Sequence, residues 1–313
     1  MAIKNSGSSL AFSEIEAEFG QNGGRSLGAY RLTQSVGSLS NLPLDSGIPT
    51  SGQIKFSDFY GKKLNVVVDC HSGGREDRKS AKGDKWNNNA VTVIGGFRTK
   101  KEGGSKIIIN VNKKFCSDKS NVANCALKTG SWDSTATVQV DVGSSGEVLG
   151  AGGDGGRGAD GINNNGQPGG DGTSALGIEH NGVTVNIASG GILRCGFGGG
   201  GGGGGGRQTD KRRDRRAGGG GGGGGAGCPA GNGGQGGDTG GGFGSGAGQP
   251  GGAGTETTGG GGGGGGNNGG QAGGASGGSG GGNGAAIRRT SGFSVTINNS
   301  GSIQGDQNAT GVG

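Results

Sequence analysis

This sequence is short of most of what an ordinary globular core is made from. Hydrophobic residues are 27% of its 313 positions and aromatics 4%, far from the usual make-up of a folded domain. One conventional core therefore cannot hold the whole chain. With only five prolines, the long Gly-X-Y register of collagen is also excluded. Two histidines, His71 and His180, and five scattered cysteines without a CxxC pair give no metal-ligand spacing, so no metal is expected. No run approaches the roughly 18 apolar residues of a membrane span. The start MAIKNSGSSLAF has no basic stretch followed by an apolar one, so we expect a soluble protein made in a cytoplasm, without membrane insertion. No GxSxG or paired-carboxylate arrangement stands out. The glycine runs match phosphate-loop patterns only trivially, lacking a strand–GxxxxGK–helix context. Neither an enzyme nor a cofactor is expected.

What is abundant is glycine, 90 residues, sparse near the start and dominant from about residue 150. That shift divides the chain into 1–63, 64–149 and 150–313. In the first part SSLAFSEIEAEFG (8–20) is echoed by GQIKFSDFYG (52–61), and more weakly by GRSLGAYRL. Ser13 and Ser57, each followed by an acid, predict short helices with serine near the N-terminal cap. The linker SNLPLDSGIPTSG (40–52) cannot be helical throughout. Phe12, Phe19, Tyr30, Phe56, Phe59 and Tyr60 are the large apolar residues with which such helices would dock.

Between 64 and 149 the texture becomes LNVVVDC, AVTVIGGF, SKIIINVN and TATVQVDV, β-branched and partly alternating, which predicts a small antiparallel β domain. Cys116 and Cys125 flank a polar segment there. They could close a disulfide in an oxidising exterior, or remain free buried thiols. A second echo links VQVDVGSSGEVLG (138–150), VNIASGGIL (185–193) and VTINNSGSIQG (295–305), three strand-turn-strand units expected to cap one end of whatever the glycines form.

The simplest reading of glycine-rich sequence is flexible coil, because glycine loses the most entropy on ordering. Three features favour ordered rods. The uninterrupted runs 198–206, 218–225 and 259–266 are nearly equal, spanning roughly 25 to 28 Å at the 3.1 Å rise of a three-residue helix. Elsewhere glycine recurs every third residue, as at Gly152, Gly155, Gly158 and Gly161 or Gly231, Gly234, Gly237 and Gly240, placing it on one edge. Finally, the chain returns to an apolar strand unit at its end. The fold expected is therefore multi-domain: a short α-helical N-terminal attachment region, a small antiparallel β domain, and a bundle of antiparallel polyglycine II helices with β strand-turn-strand caps. Rods bond to one another because a three-residue helix makes no internal hydrogen bonds. Interior rods need glycine nearly everywhere and outer rods at one position in three.

Counting rods puts the turns 162–168, 207–216, 243–249 and 267–271 at one distal end, and 183–193, 226–231, 255–258 and 285–292 beside the β domain. The distal turn RQTDKRRDRR holds six cations and two aspartates of a chain whose net charge is +6. It lacks the interleaved aromatics of a nucleic-acid platform, so no nucleic acid is expected. It is either a solvated charged loop or a contact for an anionic surface, where arginine suits phosphate or carboxylate.

Glycine rods of period three with variable polar turns resemble the receptor-recognising adhesins at the long-tail-fibre tips of some large contractile-tailed phages, over 150–313. In that family an N-terminal domain joins the end of a fibre, a polyglycine II sandwich forms the body, and distal turns bind the receptor. The resemblance implies receptor contacts at Asn163, Asn164, Asn165, Arg207, Gln208, Asp210, Lys211, Arg212, Arg213, Arg215, Arg216, Phe243, Asn267 and Asn268. It implies a tail-fibre or other virion protein as partner on the N-terminal side, and a bacterial outer-membrane protein or lipopolysaccharide as receptor. AFSEIEAEFG and IPTSGQIKFSDFYGKKL look like an N-terminal signature of marine and cyanobacterial phage structural proteins. The β-rich stretch 64–150 and the different N-terminus depart from the adhesin pattern. A structural virion or baseplate part, with the glycine bundle as rigid spacer, is the alternative, although a spacer has no use for RQTDKRRDRR.

Overall fold

The computed structural model describes residues 3–20, 26–36, 39–70, 79–80, 104–119, 123–210, 213–239, 246–265 and 275–312. One helix, α1 (Phe12–Phe19), lies near the N-terminus, followed by 3-10 turns at Leu27–Tyr30 and Phe56–Phe59 and a two-stranded ribbon of β1 (Thr33–Val36) and β2 (Leu39–Pro43). Serine does not cap either echoed helix. Instead the acid three residues on reaches back: the Ala11 N–H donates to Glu14 Oε2 at 2.7 Å and the Lys55 N–H to Asp58 Oδ2 at 2.7 Å. Ser13 and Ser57 fall inside the first turn, so the repeated phrase is a carboxylate bond to an otherwise orphaned backbone donor.

The β region is not antiparallel. Three sheets of parallel strands wind as a three-faced solenoid. The first face stacks β3 (Asn65–Cys70), β5 (Lys106–Val111), β8 (Thr137–Val142), β11 (Val183–Ile187) and β16 (Val295–Asn299). The second holds β6 (Lys114–Cys116), β9 (Glu147–Leu149), β12 (Ile192–Arg194) and β17 (Ser302–Gln304). The third holds β4 (Lys79–Ser80), β7 (Cys125–Lys128), β10 (Ser174–Ile178), β15 (Ile287–Arg289) and β18 (Ala309–Thr310). Period-two alternation is the same in parallel and antiparallel strands. Only the fact that the chain visits two other faces before returning to the first decides the matter.

The three echoed units are therefore successive rungs, β8–β9, β11–β12 and β16–β17, rather than caps on a bundle. Their register stacks Val68, Ile109, Val140, Val185 and Ile297 at one position and Asn110, Asp141, Asn186 and Asn298 at the next. The apolar column is buried except for the partly covered Ile297, each fully buried member contributing about 1.5–3 kcal/mol. The polar column bonds along itself, Asn186 Nδ2 to Asp141 Oδ1 at 2.7 Å and Asn298 Nδ2 to Asn186 Oδ1 at 2.8 Å. Strand pairing crosses the boundary expected at 149/150, since β10–β12 and β15–β18 complete the same solenoid.

The N-terminal region packs on the first rung in one continuous core that includes Ile15, Phe19, Tyr30, Leu44, Phe59 and Leu64. Buried Glu18 accepts the Leu64 N–H at 2.8 Å, and the Asn65 N–H donates to Leu44 O at 2.8 Å. Thus the end of the solenoid is covered, as stacked repeats require.

The glycine-rich chain leaves the solenoid at the corner between its second and third faces, in two consecutive rungs. It forms extended segments 1 (150–161) and 2 (165–173) between β9 and β10, and 3 (195–205), 4 (218–225), 5 (230–239), 6 (246–255), 7 (259–265) and 8 (275–284) between β12 and β15. Hydrogen bonds between segments recur every third residue. In segment 4 the amides of Gly219, Gly222 and Gly225 donate to Ala159, Gly156 and Gly153 of segment 1. Those of Gly218, Gly221 and Gly224 donate to Gly246, Gln249 and Gly252 of segment 6. A Cβ at Gly221, Gly222 or Gly223 would lie 1.9 Å from a carbonyl oxygen of segment 5, 3 or 7 in turn. Consecutive positions are blocked by different neighbours, which is why the run is unbroken. Segment 5 is peripheral and alternates in threes, with Gly231, Gly234 and Gly237 buried and Asn232, Gln235 and Asp238 exposed.

Candidate functional site

At the end remote from the solenoid, segment 1 turns at Gly161 (φ +54), where Asn163, Asn164 and Asn165 are exposed. The Asn163 N–H donates to Asp160 O at 3.0 Å, and Asn165 Oδ1 accepts the Ser276 N–H at 3.0 Å. Segments 3 and 4 are joined there by a hairpin, β13 (Gly206–Asp210) and β14 (Arg213–Ala217), where a simple turn was expected. The register pairs Arg207 with Arg216, Gln208 with Arg215, Thr209 with Asp214 and Asp210 with Arg213. Like charges opposite one another weaken a ribbon. Its two strands, however, continue directly from segments 3 and 4, which are held on several sides.

The turn and the hairpin touch, with Arg216 Nη1 donating to Asn163 Oδ1 at 3.2 Å. Beneath them Arg157 Nη1 and Nη2 meet both oxygens of Asp160 at 3.0 and 2.8 Å. The Asp238 N–H also donates to Asp160 Oδ1 at 2.8 Å. That backbone bond, helped by Arg157, holds the Asp160 carboxyl below its usual range. Asn163, Asn165, Arg207 and Arg216 thus lie at the same end of the glycine segments. Of Gln208, Asp210 and Arg213 only the backbone is described, and Lys211, Arg212, Phe243, Asn267 and Asn268 lie outside the described residues.

The near end carries a joint that the sequence did not reveal. Cys116 on β6 is disulfide-bonded to Cys228 in the turn between segments 4 and 5, not to Cys125. Cys125 sits on a different face of the solenoid, buried, with burial pushing its thiol up to about 12. Glu256, in the turn between segments 6 and 7, lies 3.0 Å from Lys114 Nζ and 3.6 Å from Arg194 Nη2. Burial opposes the charge on Lys114, but its hydrogen bonds to Glu256 and Glu147 outweigh this and raise its pKa. Partners 142 residues apart leave no local signal in sequence.

The aromatic residues proposed for attachment do converge, with ring centroids 5.6 Å apart for Tyr30 and Phe59, 6.0 Å for Phe12 and Tyr30, and 6.1 Å for Phe12 and Phe56. Phe19, Tyr30 and Phe59 are fully buried in the protein's own core, so they hold the region together and offer no contact surface. Phe56 is 42% exposed. Tyr60 donates to Ser8 O at 2.5 Å.

The solenoid thus carries a hydrogen-bonded glycine scaffold with polar and cationic turns at its far end. Residues 78–308 match the model of the phage tail fibre adhesin Gp38 family, and the chain belongs to that family. It is a receptor-binding adhesin of a phage tail fibre and hence a virion component. Among solved structures it resembles the gp37–gp38 adhesin tip complex of the bacteriophage S16 long tail fiber, at 18% identity and a TM-score of 0.43, covering 97% of this chain and 99% of that one. No curated protein matches it by sequence.

Proposed function

We propose that the distal end, formed by the hairpin 206–217 and the turn 161–165, is the surface that meets the host receptor. The receptor chemistry it fits is anionic: lipopolysaccharide phosphates or an acidic loop of an outer-membrane protein. The observation that carries this reading is the hairpin itself. Arg207, Arg215 and Arg216 stand on strands that continue segments 3 and 4 of the hydrogen-bonded body, so they are displayed on a scaffold and not on a free loop. Arginine provides paired donors to phosphate or carboxylate, while Asp210 and Asp214 limit indiscriminate attraction.

The glycine body is, on this reading, a bundle of polyglycine II helices, supported by the three-residue spacing of its bonds and by the alternating burial of segment 5. The N-terminal region is the side that joins a fibre or other virion protein, with exposed Phe56 and half-buried Phe12 and Tyr60 as its apolar contact. Binding of the purified, labelled protein to candidate host cells tests the receptor surface. Saturable binding by the intact chain, lost when 207–216 is replaced by a short Gly/Ser turn, is the expected result. Equal binding by both forms would move the receptor contact elsewhere.

A further inference from the structure

Three residues per turn, each with one amide and one carbonyl, give a polyglycine-type segment six bonding directions. Segment 4 uses five of them. Its amides reach segments 1 and 6, and its carbonyls accept from segments 3, 5 and 7, through Gly200, Gly231 and Gly260 among others. Around it the neighbours are bonded in sequence, 3 to 1, 1 to 5, 5 to 6 and 6 to 7. Among the described residues nothing bonds 7 to 3. That interval is a groove of about 490 Å³ whose lining includes Phe197, Gly198, Gly201, Gly223, Gly259 and Gly262.

The groove has the hydrogen-bonding groups of a missing neighbour. Among the described residues, the amides of Gly220 and Gly223 on segment 4 and of Gly259 and Gly262 on segment 7 donate to no backbone carbonyl. Likewise the carbonyls of Gly198 and Gly201 on segment 3 accept no backbone amide. Each pair is spaced by three residues. Segment 7 supplies an independent observation. It is an exposed edge segment, yet it is all glycine, whereas peripheral segments 2, 5, 6 and 8 carry Gln167, Gln235, Gln249 and Ser279 outward. A Cβ at Gly259 or Gly262 would find only ordinary contacts, 3.5 and 3.8 Å from Gly224 O and Gly221 O. The protein's own packing therefore does not require glycine on the edge that lines the groove. Nothing in the structure explains glycine at 261 and 264, where a Cβ would meet nothing within 4 Å.

We propose that this groove receives one further extended segment, rich in glycine and in the same three-residue geometry, contributed by another polypeptide. Its backbone would accept from Gly223 and Gly262 and donate to Gly201. With no charged residue lining the groove, the occupant is chosen by its lack of Cβ atoms rather than by charge. This proposal does not rest on where the receptor binds.

The test uses the full chain and a fluorescein-labelled, acetylated peptide with the sequence of residues 230–239, AGNGGQGGDT, followed by fluorescence anisotropy. We expect saturable binding, no binding of a control peptide with every glycine replaced by serine, and at least a tenfold loss in Gly259→Leu/Gly262→Leu. Gly261→Leu/Gly264→Leu, whose side chains lie outside the groove, should bind as the parent does. Gly262→Ala, too small to distort the fold, should give an intermediate loss, and thermal melting verifies that each variant is folded. Equal binding by parent and groove variants would overturn the proposal. So would no binding, including the case where light scattering shows a dimer that the groove variants abolish, which would assign the groove to a second copy of this chain.

Discussion

Cys116 on the second face of the solenoid and Cys228 in a turn of the glycine bundle are covalently joined, closing a span of 112 residues. The bond lies beside the Lys114–Glu256–Arg194 cluster, so the two parts of the molecule are clamped at one corner by a covalent and an ionic link.

Cys228→Ser should destabilise the bundle end by about 4–5 kcal/mol in the chain-entropy treatment of a loop this long. Denaturant unfolding with and without reductant checks it, the parent under reductant reproducing the variant. Cys125→Ser should leave the cross-link intact, as peptide mapping by mass spectrometry would report.

Glycine substitutions should divide by position. Gly221→Ala places a methyl 1.9 Å from Gly234 O and should destabilise the fold by at least the roughly 1–3 kcal/mol typical of overpacking, with a lower melting temperature. Gly264→Ala has open space and should be neutral, or stabilising by about 0.4–1 kcal/mol through the unfolded state. Calorimetry on the pair decides whether the segments are close-packed.

Glu18 links helix to solenoid. In Glu18→Ala the buried Leu64 N–H loses its acceptor, a cost of about 1–3 kcal/mol. Amide exchange should show faster opening at Leu64 and Asn65 while the glycine segments keep their protection. Uniform loss of protection would mean that the N-terminal cap and the bundle do not unfold separately.

Replacing Arg212, Arg213, Arg215 and Arg216 by serine should leave folding intact and weaken host-cell binding. The parent's binding should also fall with added salt, since exposed charges are screened within about 10 Å at 0.1 M. Adsorption that ignores both changes would remove the hairpin from the receptor contact.

Because the folded-state pKa of Asp160 is depressed, its contribution is present above the ordinary aspartate value of about 3.9. It is lost only as pH falls through the lower folded value. The turn 161–165 should therefore hold through mild acid and loosen below that range. Asp160→Asn should already be loosened at neutral pH, with chemical shifts of Asn163 as the readout.

Much of this was legible in the residues. The echo of 138–150, 185–193 and 295–305 is the rung repeat, and its spacing survives because stacked rungs need the same apolar column. Glycine at 231, 234 and 237 is the packed edge of a peripheral segment. The acid-bearing phrases at 11–14 and 55–58 are two copies of one helix start. Less could be read from alternation alone, which is indifferent to strand direction, so an antiparallel domain was expected where parallel faces wind. Cys116 and Cys228 are too far apart in sequence for spacing to pair them, and Glu256 looks like any acid in a turn.

Sequence by itself determined that the long glycine stretches of the second half cannot fold around side chains, because they have none to bury. It also determined which stretches can be enclosed, because only glycine admits a carbonyl oxygen on every side. Tertiary structure alone decided that the glycine chain departs from two consecutive rungs of the solenoid, and that segment 7 is an edge despite its interior composition. A glycine edge is compatible with contact but cannot specify the neighbour. That choice is made by which amides and carbonyls the rest of the fold leaves facing one another.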